Sequence, residues 1–329
     1  MSSPTPAQDG PTRQPAERQH QGSELPSSGV STGTTPGAGT AAATGGSIEQ
    51  SGLWGDVWRQ LRRKPQFLFG ATVVLIFSVM AAFPQLFTRT DPRACSLSRS
   101  RQPPSSDAWF GYDVQGCDYY ANVIYGARVS IAIGLLAVGG ALFVGLVLGA
   151  VAGFRGGWAD NVVARIADIV YGLPLILGAI IILYRFETRG VIQVAIALVV
   201  LSWMTPMRLV RSSVVAIRDA DYVQAARALG ASNWRLVTRH ILPNALAPVL
   251  VYATISIGVI ISAEATLSFL GVGLRLPSIS WGLMIGTAGD FLRTSLYLLL
   301  FPGAFLSLTV LAFIMLGDAL RDALDPKLR

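Results

Sequence analysis

The sequence predicts an all-α integral membrane protein, with six transmembrane helices behind a disordered N-terminal tail. Three observations predict it. Hydrophobic residues make up 52% of the 329-residue chain and charged residues only 14%, against about 25% charged in a soluble domain. The apolar residues are clustered: no charge interrupts Val129 to Phe154 or Ile241 to Ala263, and about 20 apolar residues cross the hydrocarbon core. One soluble core would not need several such runs.

Residues 1–50 are rich in Pro, Gly, Ser, Thr and Gln and have no apolar period. Such a segment buries too little surface to offset its ordering entropy, which predicts a disordered cytoplasmic tail. The first apolar run begins far from Met1, unlike a cleaved signal peptide. Residues 51–66 read as an interfacial helix: Trp54 and Trp58 suit the headgroup level, and Arg62, Arg63 and Lys64 form a basic stop. A membrane domain follows over 67–329. Its spans fall near 67–87, 129–153, 163–184, 191–209, 245–268 and 295–316. Pro84 interrupts the first near its end, and the third must carry Arg165 and Asp168, expected to pair or cap near the cytoplasmic face.

Placing both termini in the cytoplasm leaves 88–128 as an extracytoplasmic loop and 210–244 as a cytoplasmic one. Basic residues then concentrate inside, the sense that membrane topology favours. Arg208, Arg211, Arg218, Arg227, Arg235 and Arg239 crowd around that single cytoplasmic loop. The formal net charge of +7 therefore needs no nucleic acid to explain it. Gly145, Gly149 and Gly153 recur at four-residue spacing in the second span, a pattern that lets another backbone approach closely. They predict a helix seam, inside the bundle or against a partner.

The cytoplasmic loop reads as two short helices. Asp221 is placed to cap the first and Gly230 to end it; Ser232 caps the second, which Pro243 stops. Trp234, Val237 and Ile241 then share a face, and Ala225, Ala226 and Ala228 keep the first helix slim. The same outline describes a DNA-binding helix-turn-helix, but tethers to membrane spans at both ends would keep a duplex away.

These residues resemble the "EAA" loop of binding-protein-dependent ABC importer permeases, which reads Glu-Ala-Ala, a following Gly and then Ile-x-Pro. Here the loop has Gln224-Ala225-Ala226, Gly230 and Ile241-Leu242-Pro243, with Gln224 departing from the usual Glu. Gly111-Tyr112-Asp113-Val114-Gln115-Gly116-Cys117-Asp118, followed by Tyr125 to Ser130, resembles the entry to the second span in peptide and nickel permeases, with Tyr112 and Cys117 as departures. Glu264 to Gly271, Ser280-Trp281-Gly282 and Leu316 to Pro326 match further segments. Together they are similar to the C-type subunit of the dipeptide/oligopeptide/nickel family.

The resemblance implies the type I ABC importer permease fold and a pore-forming subunit of an ATP-driven peptide importer. It implies that Asp221, Tyr222, Gln224, Ala225, Ala226, Leu229, Gly230, Ala231 and Trp234 contact an ATPase. It also implies a second homologous permease subunit, two ATPase subunits or one fused pair, an extracytoplasmic substrate-binding protein or lipoprotein, a peptide substrate and a bacterial inner-membrane location. The only lysines are Lys64 and Lys327, neither in the Gly-Lys-Ser/Thr setting of a phosphate-cradling loop. ATP and Mg are therefore expected on partner subunits, with no cofactor or metal held by this chain.

Glu264 is an ionisable residue at membrane depth, where charge is costly. It lines a passage or gate, or it makes a satisfied interhelical hydrogen bond. Cys95 and Cys117 share the extracytoplasmic loop, in a space that permits disulfides; a bond is favoured, and two free thiols are the alternative. An ion-coupled carrier is a rival function, since such carriers use midplane charges and broken helices, yet midplane charges are sparse. An intramembrane serine protease is a second. The only histidines, His20 and His240, lie in the tail and the cytoplasmic loop, away from any serine at membrane depth.

Overall fold

Every regular element of the computed structural model, which describes residues 53–324, is a helix, apart from one isolated β-bridge between Tyr112 and Asp118. The tail expected at 1–50 and the closing Asp325-Pro326 lie outside the described residues. A short helix α1 (Leu53–Leu61) leads into α2 (Pro65–Ala82), started by a proline at its first turn, where the missing N–H costs nothing. Leu61 is buried near Ala319 and Ala323 of the last helix, and Lys64 pairs with Asp322 at 2.9 Å. The first span thus begins at 65 and ends at 82, earlier than expected, because Pro84 opens a separate 3₁₀ turn. Arg128 donates to the carbonyls of Ala81 and Ala82, closing acceptors that a helix end leaves open.

Helix α3 (Tyr119–Arg155) starts ten residues before the expected span, so 119–128 is helix rather than loop. The Asp118 carboxylate caps it, accepting from Ala121 N at 2.8 Å. It ends at Gly156, whose φ of 64° breaks the chain into α4 (Gly157–Tyr171).

The expected third and fourth spans are both broken. The third is α4 followed by α5 (Leu175–Tyr184), bent by 90°; Gly172-Leu173-Pro174 stops the first half and apolar composition hides the stop. The fourth is α6 (Val191–Ser202) followed by α7 (Met204–Arg218), bent by 45°. Pro206 has no N–H for the Ser202 carbonyl one turn back, a sufficient cause for the kink. Asp168 pairs with Arg208 at 2.7 Å rather than with Arg165.

Helix α8 (Asp221–Ala228) precedes α9 (Asn233–Phe269), which runs without a stop through a π-helical turn at Leu236–Ile241. The expected stop at Pro243 is absent because the wide turn resets the hydrogen-bond register. Pro243 then sits in the first turn of the following α segment, where it owes no bond. A further short helix, α10 (Trp281–Ala288), lies in what reads as a loop, and α11 (Tyr297–Leu324) closes the chain. Among the described residues four helices are long and apolar enough to cross a membrane alone, and up to six spans result if each bent pair counts as one.

Two packing features position the site. Gly145, Gly149 and Gly153 of α3 lie on α7, where added Cβ atoms would fall 2.8 Å from Met207 N, 2.6 Å from Met207 O and 2.9 Å from Arg211 O. The expected seam is therefore inside this chain. Within lipid such contacts gain dispersion energy rather than relief from water. At the far end of α3, Trp281 is fully buried beside Phe77 and Phe305, and its indole donates to Val123 O at 2.9 Å.

Candidate functional site

Helix α8 owes its ends to local chemistry. Its N-cap is Ala220 and Asp221 is the first helical residue, so Asp221 favours the helix by its charge near the N-terminus rather than as a cap. The C-terminus is a Schellman motif: Ala231 N donates to Ala226 O and Gly230 N to Arg227 O, at 3.1 and 3.0 Å. Gly230 sits at φ 86°, a left-handed conformation that side chains resist. Ser232 caps α9 as expected, accepting from Arg235 N at 3.3 Å.

One face of this segment anchors and the other is open. Val223, Leu236 and Ile241 are completely buried with Val210 and Val214 of α7 and Ala245 and Val249 of α9. Leu229 and Trp234 are 90% and 78% exposed. Tyr222 is exposed, and its hydroxyl accepts from Asn244 Nδ2 at 3.5 Å. Asp221, Gln224 and Ala225 are exposed, and Ala226 and Ala231 are half-buried. Among the described residues the Gln224 side chain has no hydrogen-bond partner. The shared face expected of Trp234, Val237 and Ile241 does not form: Ile241 is buried and Trp234 is outside, because the π turn between them changes the angular step.

Helix α7, against which this segment packs, is tied to α3 and α4 by charged side chains. Arg211 makes a two-bond pair with Asp160 in the first turn of α4, one bond being Nη2 to Oδ2 at 2.6 Å. Arg218 donates to Gly153 O at 2.9 Å. Packing and these bonds thus connect α8, through α7 and α9, to α3 and α4.

Glu264 is fully enclosed in this structure and makes the hydrogen bonds that the interhelical alternative expects. Its carboxylate accepts from Ser268 at 2.9 Å, from Ser280 at 3.1 Å and from Ser130 at 3.4 Å. Ser130 in turn accepts from Trp281 N, and Ser280 caps α10 by accepting from Leu283 N. Three separate helices meet on one side chain. Sequence reading missed these serines; only Ser268, one turn from Glu264, was legible by spacing.

Outside the spans, Cys95 and Cys117 are joined by a disulfide. It borders a turn in which Asp113 accepts from the backbone of Gln115 and Cys117 and from Asn122 Nδ2. Burial pushes the Asp113 carboxyl above its ordinary value, against those backbone N–H groups, which pull it down. Among the described residues no group of three or more His, Cys, Asp or Glu side chains could hold a metal ion.

Residues 145–329 match the family described as binding-protein-dependent transport system inner membrane component. Residues 52–104 match the N-terminal transmembrane domain of oligopeptide transport permease C. The chain is 38% identical to a dipeptide transport system permease of Alkalihalophilus pseudofirmus, over 84% of this chain and 90% of that one. It is 37% identical to the oligopeptide transport system permease of Bacillus subtilis, over 88% and 96%. Among solved structures, an inward-facing methionine ABC transporter aligns at TM-score 0.51 and 19% identity, over 62% of this chain and 96% of that one, a likeness of fold. The chain belongs to the inner-membrane permease family of binding-protein-dependent ABC transporters, in its dipeptide/oligopeptide C-type branch.

Proposed function

We propose that this protein is a permease subunit of an ATP-driven importer of dipeptides or oligopeptides, forming half of the translocation pathway in a bacterial inner membrane. One observation carries the reading: a short segment is bolted to two membrane helices by Val223, Leu236 and Ile241 while it holds Leu229 and Trp234 out for a partner. A rigid lever with an open apolar tip suits transmission of force from a separate ATPase. The partners are then two ATPase subunits or one fused pair, which bind ATP and Mg, a second homologous permease making a heterodimer, and an extracytoplasmic binding protein or lipoprotein. Both termini lie in the cytoplasm, on the side of α8. ATP binding biases the pathway between outward-facing and inward-facing states, and α8 moves α7 and α9 between them.

The peptide cargo follows from relatives named for dipeptide and oligopeptide transport. An ion-coupled carrier draws support from the two broken spans, but no charged side chain lines the cavity where they meet. Vesicles containing the chain with the products of its neighbouring reading frames should accumulate peptide with ATP inside and binding protein outside. Accumulation driven by an ion gradient without the ATPases would overturn the reading.

A further inference from the structure

Where the bends of the two broken spans meet α9, the protein forms a partly open cavity of about 440 Å³, within the range of roughly 300–1,000 Å³ typical of ligand sites. Its walls are apolar except for five hydroxyls: Tyr171 at the end of α4, Ser202 and Thr205 flanking the kink between α6 and α7, and Tyr252 and Ser256 one turn apart on α9. No charged residue lines it.

The serine and threonine hydroxyls among them do not take the local backbone bond open to them, as Thr72, Ser78, Ser262 and Ser307 elsewhere in the spans also do not. The default for a helical hydroxyl in lipid is a bond to the carbonyl one turn back. Thr254, Thr266 and Thr309 do this, reaching Leu250, Ser262 and Phe305 at 2.9, 2.9 and 2.7 Å. Among the described residues, none of the five cavity hydroxyls has a hydrogen-bond partner. Ser256 is only 9% exposed as a residue and lines this cavity. Backbone groups add to the set: Pro206 leaves the Ser202 carbonyl without its usual donor, and α5 starts just after Pro174 with no side-chain cap on its first N–H groups.

Hydroxyls that share one cavity without partners in the fold are free to bond a polar visitor there. We propose that this cavity is the part of the translocation pathway that holds the peptide in transit by its uncharged backbone amides. The inference rests on the peptide-import reading above. A hydroxyl donates or accepts, so five of them match amide N–H and C=O groups in any order. A wall without charge does not sort peptides by their side chains. An acyl chain would have no use for the hydroxyls.

The test uses the complete complex in proteoliposomes. The combined variant Thr205→Val, Tyr252→Phe, Ser256→Ala keeps shape and removes three hydroxyls. Its uptake should fall about tenfold or more, since each bond to a neutral group contributes a modest factor. The fall should be similar for acidic, basic and neutral peptides, while Thr254→Val on the same helix imports normally. In parallel, Ser202→Cys provides a free thiol, because both native cysteines are paired. A small maleimide should label it, and transported peptide should slow that labelling at least threefold; this arm decides the matter if the combined variant fails to assemble. Normal uptake by the assembled combined variant, or labelling that responds to lipid composition and not to peptide, overturns the subsite. Failure of the unmodified complex to import any peptide overturns the functional reading itself.

Discussion

Gly149 of α3 lies so close to Met207 of α7 that a Cβ at position 149 would fall 2.6 Å from the Met207 carbonyl oxygen. The contact is backbone on backbone, so no side-chain rotation relieves it. Gly149→Val should cost about 1–3 kcal/mol or more as the helices are forced apart. Thermal unfolding of the purified protein in detergent measures this, and an unchanged midpoint would refute close packing at the seam.

Gly230 at φ 86° has open space around it, with nothing within 4 Å of an added Cβ. Gly230→Val therefore strains the backbone by about 1–2 kcal/mol without a clash and loosens the Schellman end of α8. Membrane insertion should remain normal while ATP hydrolysis loses its coupling to uptake. Parallel measurement of phosphate release and peptide uptake checks it; an unchanged ratio of the two would count against a coupling role.

Leu229 and Trp234 are exposed apolar side chains whose removal leaves no cavity in this chain. Trp234→Ala and Leu229→Asp should leave thermal stability within about 0.5 kcal/mol yet weaken ATPase association by roughly 2 kcal/mol each, as interface anchors do. Co-purification at graded dilution reads this directly. Equal recovery of the ATPase with both variants would remove these residues from the contact.

Glu264→Ala should strand the hydroxyls of Ser130, Ser268 and Ser280 inside the protein, at a cost of about 1–3 kcal/mol for a group left unmade. Glu264→Gln retains an acceptor and should cost less. The order Glu, then Gln, then Ala in thermal midpoint is the expected result; equal midpoints would show that the node contributes nothing to holding α3, α9 and α10 together.

The bond between Cys95 and Cys117 closes a sequence separation of 22, for which chain entropy suggests a stabilisation of about 3 kcal/mol. Replacing both cysteines with serine should open the 95–117 turn to added protease while the spans remain protected. An identical digestion pattern would show that the turn is held by its hydrogen bonds alone.

Span number, the glycine seam, the Schellman glycine at 230 and the cap at Ser232 were legible in the sequence because each depends on neighbours within a turn or two. The breaks were not. A 90° bend at Gly172-Leu173-Pro174 and a 45° bend ahead of Pro206 leave apolar composition untouched, so hydropathy passes over them. The π turn at Leu236–Ile241 likewise carried the chain past Pro243, where a proline ordinarily ends a helix.

By itself the sequence determined that the chain spans a membrane, roughly which segments do so, and where the Ala225-Ala226 and Gly230 motif lies, since hydropathy and capping are properties of adjacent residues. Only the tertiary structure decided that Glu264 meets Ser130 and Ser280, and that unpaired hydroxyls from three spans surround one cavity. Those meetings join residues far apart in the chain, and the crossing of bent helices, which local spacing does not encode, sets their distances.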